Sequence, residues 1–119
     1  MTLRFFLVLA TSFAVAFATG ASSKAATKLT ATVGPGSSIS LVAGGSVVRS
    51  LKAGPYTIVV RDRSKRLNFH LVGPTNSLTR STTLRFTGTK TWRLKLVKGK
   101  YRYFSDRGGA LLKRTFRVV

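Results

Sequence analysis

Lys90-Thr91-Trp92-Arg93-Leu94-Lys95-Leu96-Val97 alternates large apolar residues with polar or basic ones at period two. Trp92, Leu94 and Leu96 fall on one face of an extended chain, and Thr91, Arg93 and Lys95 on the other. That pattern is a half-buried β-strand, with a core side and a basic, solvated side. Working outward, β-prone runs recur at 28–33, 39–42, 47–51, 56–60, 68–72, 84–86, 101–105 and 115–119. The run 56–60 is apolar almost throughout, as in a strand covered on both faces. Between the runs stand Gly34-Pro35-Gly36, Gly44-Gly45, Gly54-Pro55, Gly73-Pro74, Gly88, Gly99 and Gly108-Gly109, which punctuate an extended chain as turns. No stretch after residue 20 keeps a helical period. The reading is an all-β domain, a sandwich or barrel.

The beginning of the chain is of another kind. Residues 1–20 carry one basic residue, Arg4, then an apolar run broken only by Thr11 and Ser12, and end in small residues. This is the pattern of a secretory signal peptide, with cleavage expected after Ala18, Gly20 or Ala21. An uncleaved anchor is the alternative, but the apolar run is shorter than the roughly 20 residues that span a bilayer. Residues 21–27 read as a flexible leader and 28–119 as one domain with one core. The expected location is secreted, periplasmic or cell-envelope. No cysteine occurs anywhere and Met1 is the only methionine, so disulfide staples and a lipid-modified cysteine are both excluded. Stability must come from packing and hydrogen-bonded sheet.

The stretch Gly54-Pro55-Tyr56-Thr57-Ile58-Val59-Val60-Arg61-Asp62-Arg63-Ser64, followed by Asn68-Phe69-His70-Leu71-Val72-Gly73-Pro74, resembles the first copper-ligand region of bacterial plastocyanin-like cupredoxins. Gly88-Thr89-Lys90-Thr91-Trp92 and Lys98-Gly99-Lys100-Tyr101-Arg102-Tyr103-Phe104 are similar to that family's penultimate strand and the Gly-x-Tyr approach to its ligand loop. Ser105 to Leu112 and Thr115-Phe116-Arg117-Val118 fall where the family has Cys-Asp-Pro-His, a spacer, Met and a final strand. The resemblance implies a Greek-key β-sandwich. It also implies a ligand set, and here the match breaks down. His70 keeps the first histidine position, but Ser105 stands for the cysteine, Arg107 for the proline, Gly108 for the second histidine and Leu112 for the methionine. A type 1 copper centre needs two imidazoles, a thiolate and a weak axial thioether. Of the four positions only His70 offers a competent ligand, so the expectation is a degenerate site with no cofactor. The alternative is an electron-transfer copper protein with an atypical site around His70.

If that alignment holds, His70 and Ser105 face one vacated pocket and are expected to hydrogen-bond as a structural polar pair. A hydrolase triad of Ser105, His70 and Asp106 is the sharper reading of the same residues. On a strand, however, neighbours 105 and 106 point to opposite faces, which argues against it. The glycine pairs lack the lysine and strand-to-helix setting of a phosphate loop. No catalytic residue is assigned and no enzymatic activity is expected.

Charge is the remaining signal. Without residues 1–20 the chain sets twenty basic residues against Asp62 and Asp106, a net +18. Arg61, Arg63, Lys65 and Arg66 crowd one loop. Arg93, Lys95, Lys98, Lys100 and Arg102 alternate along what reads as a hairpin, and Arg107, Lys113, Arg114 and Arg117 surround the former ligand loop. So one-sided a field attracts polyanions. The expected partners are an anionic cell-envelope polymer, an anionic lipid surface or an acidic protein. Tyr101, Tyr103 and Phe104 interleave with Lys100 and Arg102, which would suit stacking on single-stranded nucleic acid. Tyr101 fits a core corner equally well, and export argues against nucleic acid as the main partner.

Overall fold

The computed structural model describes residues 25–119. The expected signal peptide and residues 21–24 of the leader lie outside the described residues. Ten strands form two five-stranded sheets packed face to face. The first sheet orders β3 (Ser46–Val47), β2 (Ile39–Ala43), β1 (Thr27–Val33), β5 (Gly54–Asp62) and β8 (Gly88–Leu96). The second orders β4 (Ser50–Leu51), β10 (Lys113–Val118), β9 (Gly99–Phe104), β6 (His70–Val72) and β7 (Thr79–Ser81). The β1–β5 and β4–β10 pairs are parallel and the others antiparallel.

The period-two reading holds for β8, where Leu94 and Leu96 are buried, Trp92 is half-buried, and Thr91, Arg93 and Lys95 are exposed. Leu29, Leu41, Ile58, Leu71 and Leu96 are sealed between the sheets, each contributing about 1.5–3 kcal/mol by burial. Phe69 joins the layers, lying 6.0 Å from Trp92 of the first sheet and 5.4 Å from Tyr103 of the second. Tyr101 stacks on Phe116 at 5.2 Å.

Four expectations need correction. The run 56–60 is not covered on both faces: Tyr56, Ile58 and Val60 are buried, while Thr57 and Val59 are half-buried. The run 47–51 is two strands in different sheets. The Val48 amide donates to the Leu41 carbonyl of the first sheet, whereas the Arg49 carbonyl accepts from Arg117 of the second, so the ladder changes partner there. Residues 84–86 are a turn closed by the Phe86 amide on the Thr83 carbonyl, and the short, wholly exposed β7 precedes it. Finally, β8 and β9 are not a hairpin. β8 pairs with β5 at the margin of one sheet, and β9 lies between β10 and β6 in the other.

Candidate functional site

At one end of the sandwich three loops meet: residues 63–69 between β5 and β6, residues 82–87 between β7 and β8, and residues 105–112 between β9 and β10. Each is tied to the others by a buried polar network centred on Asn68, which is 1% exposed. The Asn68 side-chain amide donates to the Thr82 carbonyl at 2.9 Å and to Asp106 Oδ2 at 2.7 Å. Its Oδ1 accepts from the Asp106 amide at 2.8 Å and from the Ser105 hydroxyl at 3.2 Å. Ser105 Oγ in turn accepts the Asn68 and Arg107 backbone amides at 3.1 and 3.2 Å. Thr82 Oγ1 accepts from the Phe69 amide and donates to Asp62 Oδ2. Both polar atoms of the Asn68 side chain are thus used, which is the condition for burying an amide without penalty.

His70 opens β6 opposite Phe104 in register, with ring centroids 4.8 Å apart. Its Nδ1 meets Asp106 Oδ1 at 2.9 Å, and its Nε2 is buried with no hydrogen-bond partner. The expected His70–Ser105 pair is therefore replaced by His70–Asp106, because Asn68 takes the serine hydroxyl. Ser105 is buried and Asp106 exposed, but β9 ends at Phe104 and the chain bends there, so both side chains reach the Asn68 amide instead of pointing to opposite faces as the strand pattern predicts. The triad does not assemble, since the Ser105 hydroxyl is given to Asn68 and no hydroxyl among the described residues meets the free Nε2 of His70.

The two acids have opposite electrostatics. Burial raises the Asp62 carboxyl above its usual range, only partly offset by hydrogen bonds from the Ser64 amide and the Thr82 hydroxyl. Burial also pushes Asp106 upward, but the hydrogen bonds from His70 and Asn68 and the nearby His70 charge outweigh it and hold it low. Among the described residues neither acid meets a lysine or arginine, and the ion pair is His70–Asp106.

The donor set does not fit type 1 copper. Among the described residues no three His, Cys, Asp or Glu side chains cluster. Gly108 adopts φ +104°, and a Cβ there would collide with Leu112 Cδ1 and stand 3.1 Å from its Cγ. Leu112 itself is buried in the apolar core. The space at Gly108, where the resemblance would put a second imidazole, is closed by Leu112, and Nδ1 of His70 is bonded to Asp106.

The basic residues are distributed differently from their order in sequence. Arg61 and Arg63 flank Asp62 beside Gly88 and Thr89. Lys65 and Arg66 line one cleft with Arg107 and also with Arg85, which sequence reading passed over because it stands alone in its loop. Arg93 and Lys95 lie exposed on β8 of the first sheet; Lys100 and Arg102 lie exposed on β9 of the second, and Lys98 in the connection between them. Lys100 sits directly across from Arg117, and Lys113 across from Phe104. The Arg114 guanidinium caps the carbonyls of Leu111 and Lys113. Tyr101 and Tyr103 are buried, the Tyr101 hydroxyl bonding both backbone groups of Val97. Burial raises the Tyr103 phenol above its usual range. Of the three interleaved aromatics Tyr101 and Tyr103 belong to the core, Tyr101 as its corner, and Phe104 is half-buried beside His70 and Arg102.

No protein-family model matches the chain, and no curated protein matches its sequence. Among solved structures, reduced rusticyanin, determined at 1.9 Å, superposes with a TM-score of 0.60 at 12% identity, covering 82% of this chain and 81% of that one. At that identity the likeness concerns architecture, and the architecture is a cupredoxin-like β-sandwich.

Proposed function

We propose that the chain is an exported, degenerate relative of the plastocyanin-like cupredoxins that holds no type 1 copper, catalyses no reaction and works by binding anionic polymers or surfaces. The observation that carries the reading is how the two acids are used. Asp62 is tied to Ser64 and Thr82, and Asp106 to His70 and Asn68. Among the described residues no carboxylate side chain is left to neutralise a lysine or arginine, so the cations on both sheets and the loops act outward together. The Lys100–Arg117 pair makes the same point locally, because like charges directly across strands cost stability. A fold that keeps such pairs gains when an anion covers them. The polar residues at the former ligand positions serve a different end, holding three loops in one arrangement.

Two measurements test this on the protein without its first 20 residues. Copper(II) titration should give no blue absorption band; a band that saturates at one copper per chain overturns the metal-free reading. Affinity for a soluble polyanion should fall steeply as salt rises, because neutralising each charge releases a counterion. An affinity indifferent to ionic strength overturns the binding reading.

A further inference from the structure

Lys65 and Arg66, Arg85, and Arg107 come from three different loops and line one cleft of about 260 Å³, completed by Leu84. All four basic residues are exposed, and no acidic side chain lines the cleft. Asp106, next to Arg107 in sequence, is committed to His70 and Asn68. Gathering like charges is unfavourable unless something of opposite sign completes the group. The gathering here is not left to loop wandering. Ser105 holds the Arg107 amide, Asn68 holds Ser105 and the Thr82 carbonyl, and Ser64 Oγ accepts the Arg66 amide.

We infer that this cleft is a binding site for a phosphoryl-type oxyanion, an assignment that rests on the polyanion-binding reading above and gives it a location. Three guanidinium forks and an ammonium offer more donors, and more charge, than one carboxylate with its two oxygens can use. A tetrahedral phosphoryl group, with three or more acceptor oxygens and up to two negative charges, matches them. Lys65 and Arg66 also line an adjoining cleft of about 280 Å³ with Arg63 and Ser64. The two clefts share a wall, so successive phosphoryl groups of one chain can occupy both.

The test is calorimetric titration of the protein with orthophosphate and with a short linear polyphosphate, at constant ionic strength against chloride. Arg85→Gln and Arg107→Gln should each weaken orthophosphate about tenfold, the scale of one charge-assisted hydrogen bond. Arg93→Gln and Lys95→Gln, which remove the same charge from β8, should leave it unchanged. Polyphosphate should bind more tightly than orthophosphate and lose affinity with the same two cleft variants. Equal losses in all four variants, or orthophosphate no better than chloride, overturn the cleft while leaving the diffuse field intact. Failure of polyphosphate to bind even at low salt overturns both readings.

Discussion

Replacing Gly108 by alanine tests whether Leu112 has closed the space beside the β9–β10 loop. Two costs arise. At φ +104° an L-residue is strained by about 1–2 kcal/mol relative to glycine. The new methyl would also overlap Leu112 Cδ1 and stand 3.1 Å from Cγ, inside the 3.4–4 Å of ordinary contact. Rotating the leucine tip relieves the first clash and not the second, and Leu112 is 4% exposed with core on its other side. Off-rotamer strain or a backbone shift then adds about 1–2 kcal/mol. The expected loss is about 2–4 kcal/mol, a large part of a small domain's stability, read as a lower urea midpoint at unchanged slope. A double-mutant cycle isolates the overlap. Leu112→Ala alone should cost about 2–5 kcal/mol, and in its background Gly108→Ala should retain only the backbone cost. A coupling of about 1–2 kcal/mol follows. Additive losses, or a Gly108→Ala protein within about 0.5 kcal/mol of the parent, would refute the reasoning.

Three further outcomes are expected. Asn68→Ala strands the Ser105 hydroxyl, the Asp106 amide and the Thr82 carbonyl, and should cost about 3 kcal/mol or more in urea unfolding; a loss below about 1 kcal/mol would mean that the network is not structural. Asp106 has a folded pKa held below its ordinary value of 3.8, so it adds stability above that pH and loses it as pH falls through the depressed value. Asp106→Asn should therefore be less stable than the parent near neutrality, with the gap closing in acid; a gap constant down to strongly acidic pH contradicts this, and Asp62, common to both proteins, cancels. Arg117→Gln removes the charge facing Lys100 and should stabilise by a few tenths of a kcal/mol at low salt, an effect that thermal melts should show fading as salt screens it.

The sandwich was legible because its signal is local: Leu94 and Leu96 announce their face by alternation, and glycine and proline mark the turns. What period cannot carry is which strands pair. The 47–51 run looks continuous, but its sheet changes at Val48, where the choice is made by Leu41 and Arg117 far along the chain. The supposed hairpin across Lys98 failed for the same reason. At the site, His70 and Ser105 stood out chemically and their partners did not. Asn68 belongs to the motif that carries the resemblance, and only the fold shows its amide organising the three loops. On a regular strand Asp106 would point away from Ser105, but the chain leaves β9 at Phe104, both side chains reach Asn68, and Asp106 also meets His70. Arg85 carries no sequence signal at all; only the fold brings it to Lys65 and Arg107.

β8 is nine residues long and, among the described residues, pairs on one side only, with β5. Its other side offers backbone donors and acceptors to any extended chain, the usual route to edge-to-edge aggregation. Lys90, Arg93 and Lys95 lie exposed along it, so two copies approaching edge to edge bring like charges together. The charge that draws in a polyanion is also the molecule's guard against itself. A polymer long enough to neutralise several copies at once would lower that guard, making colloidal stability a function of the ratio of polymer to protein.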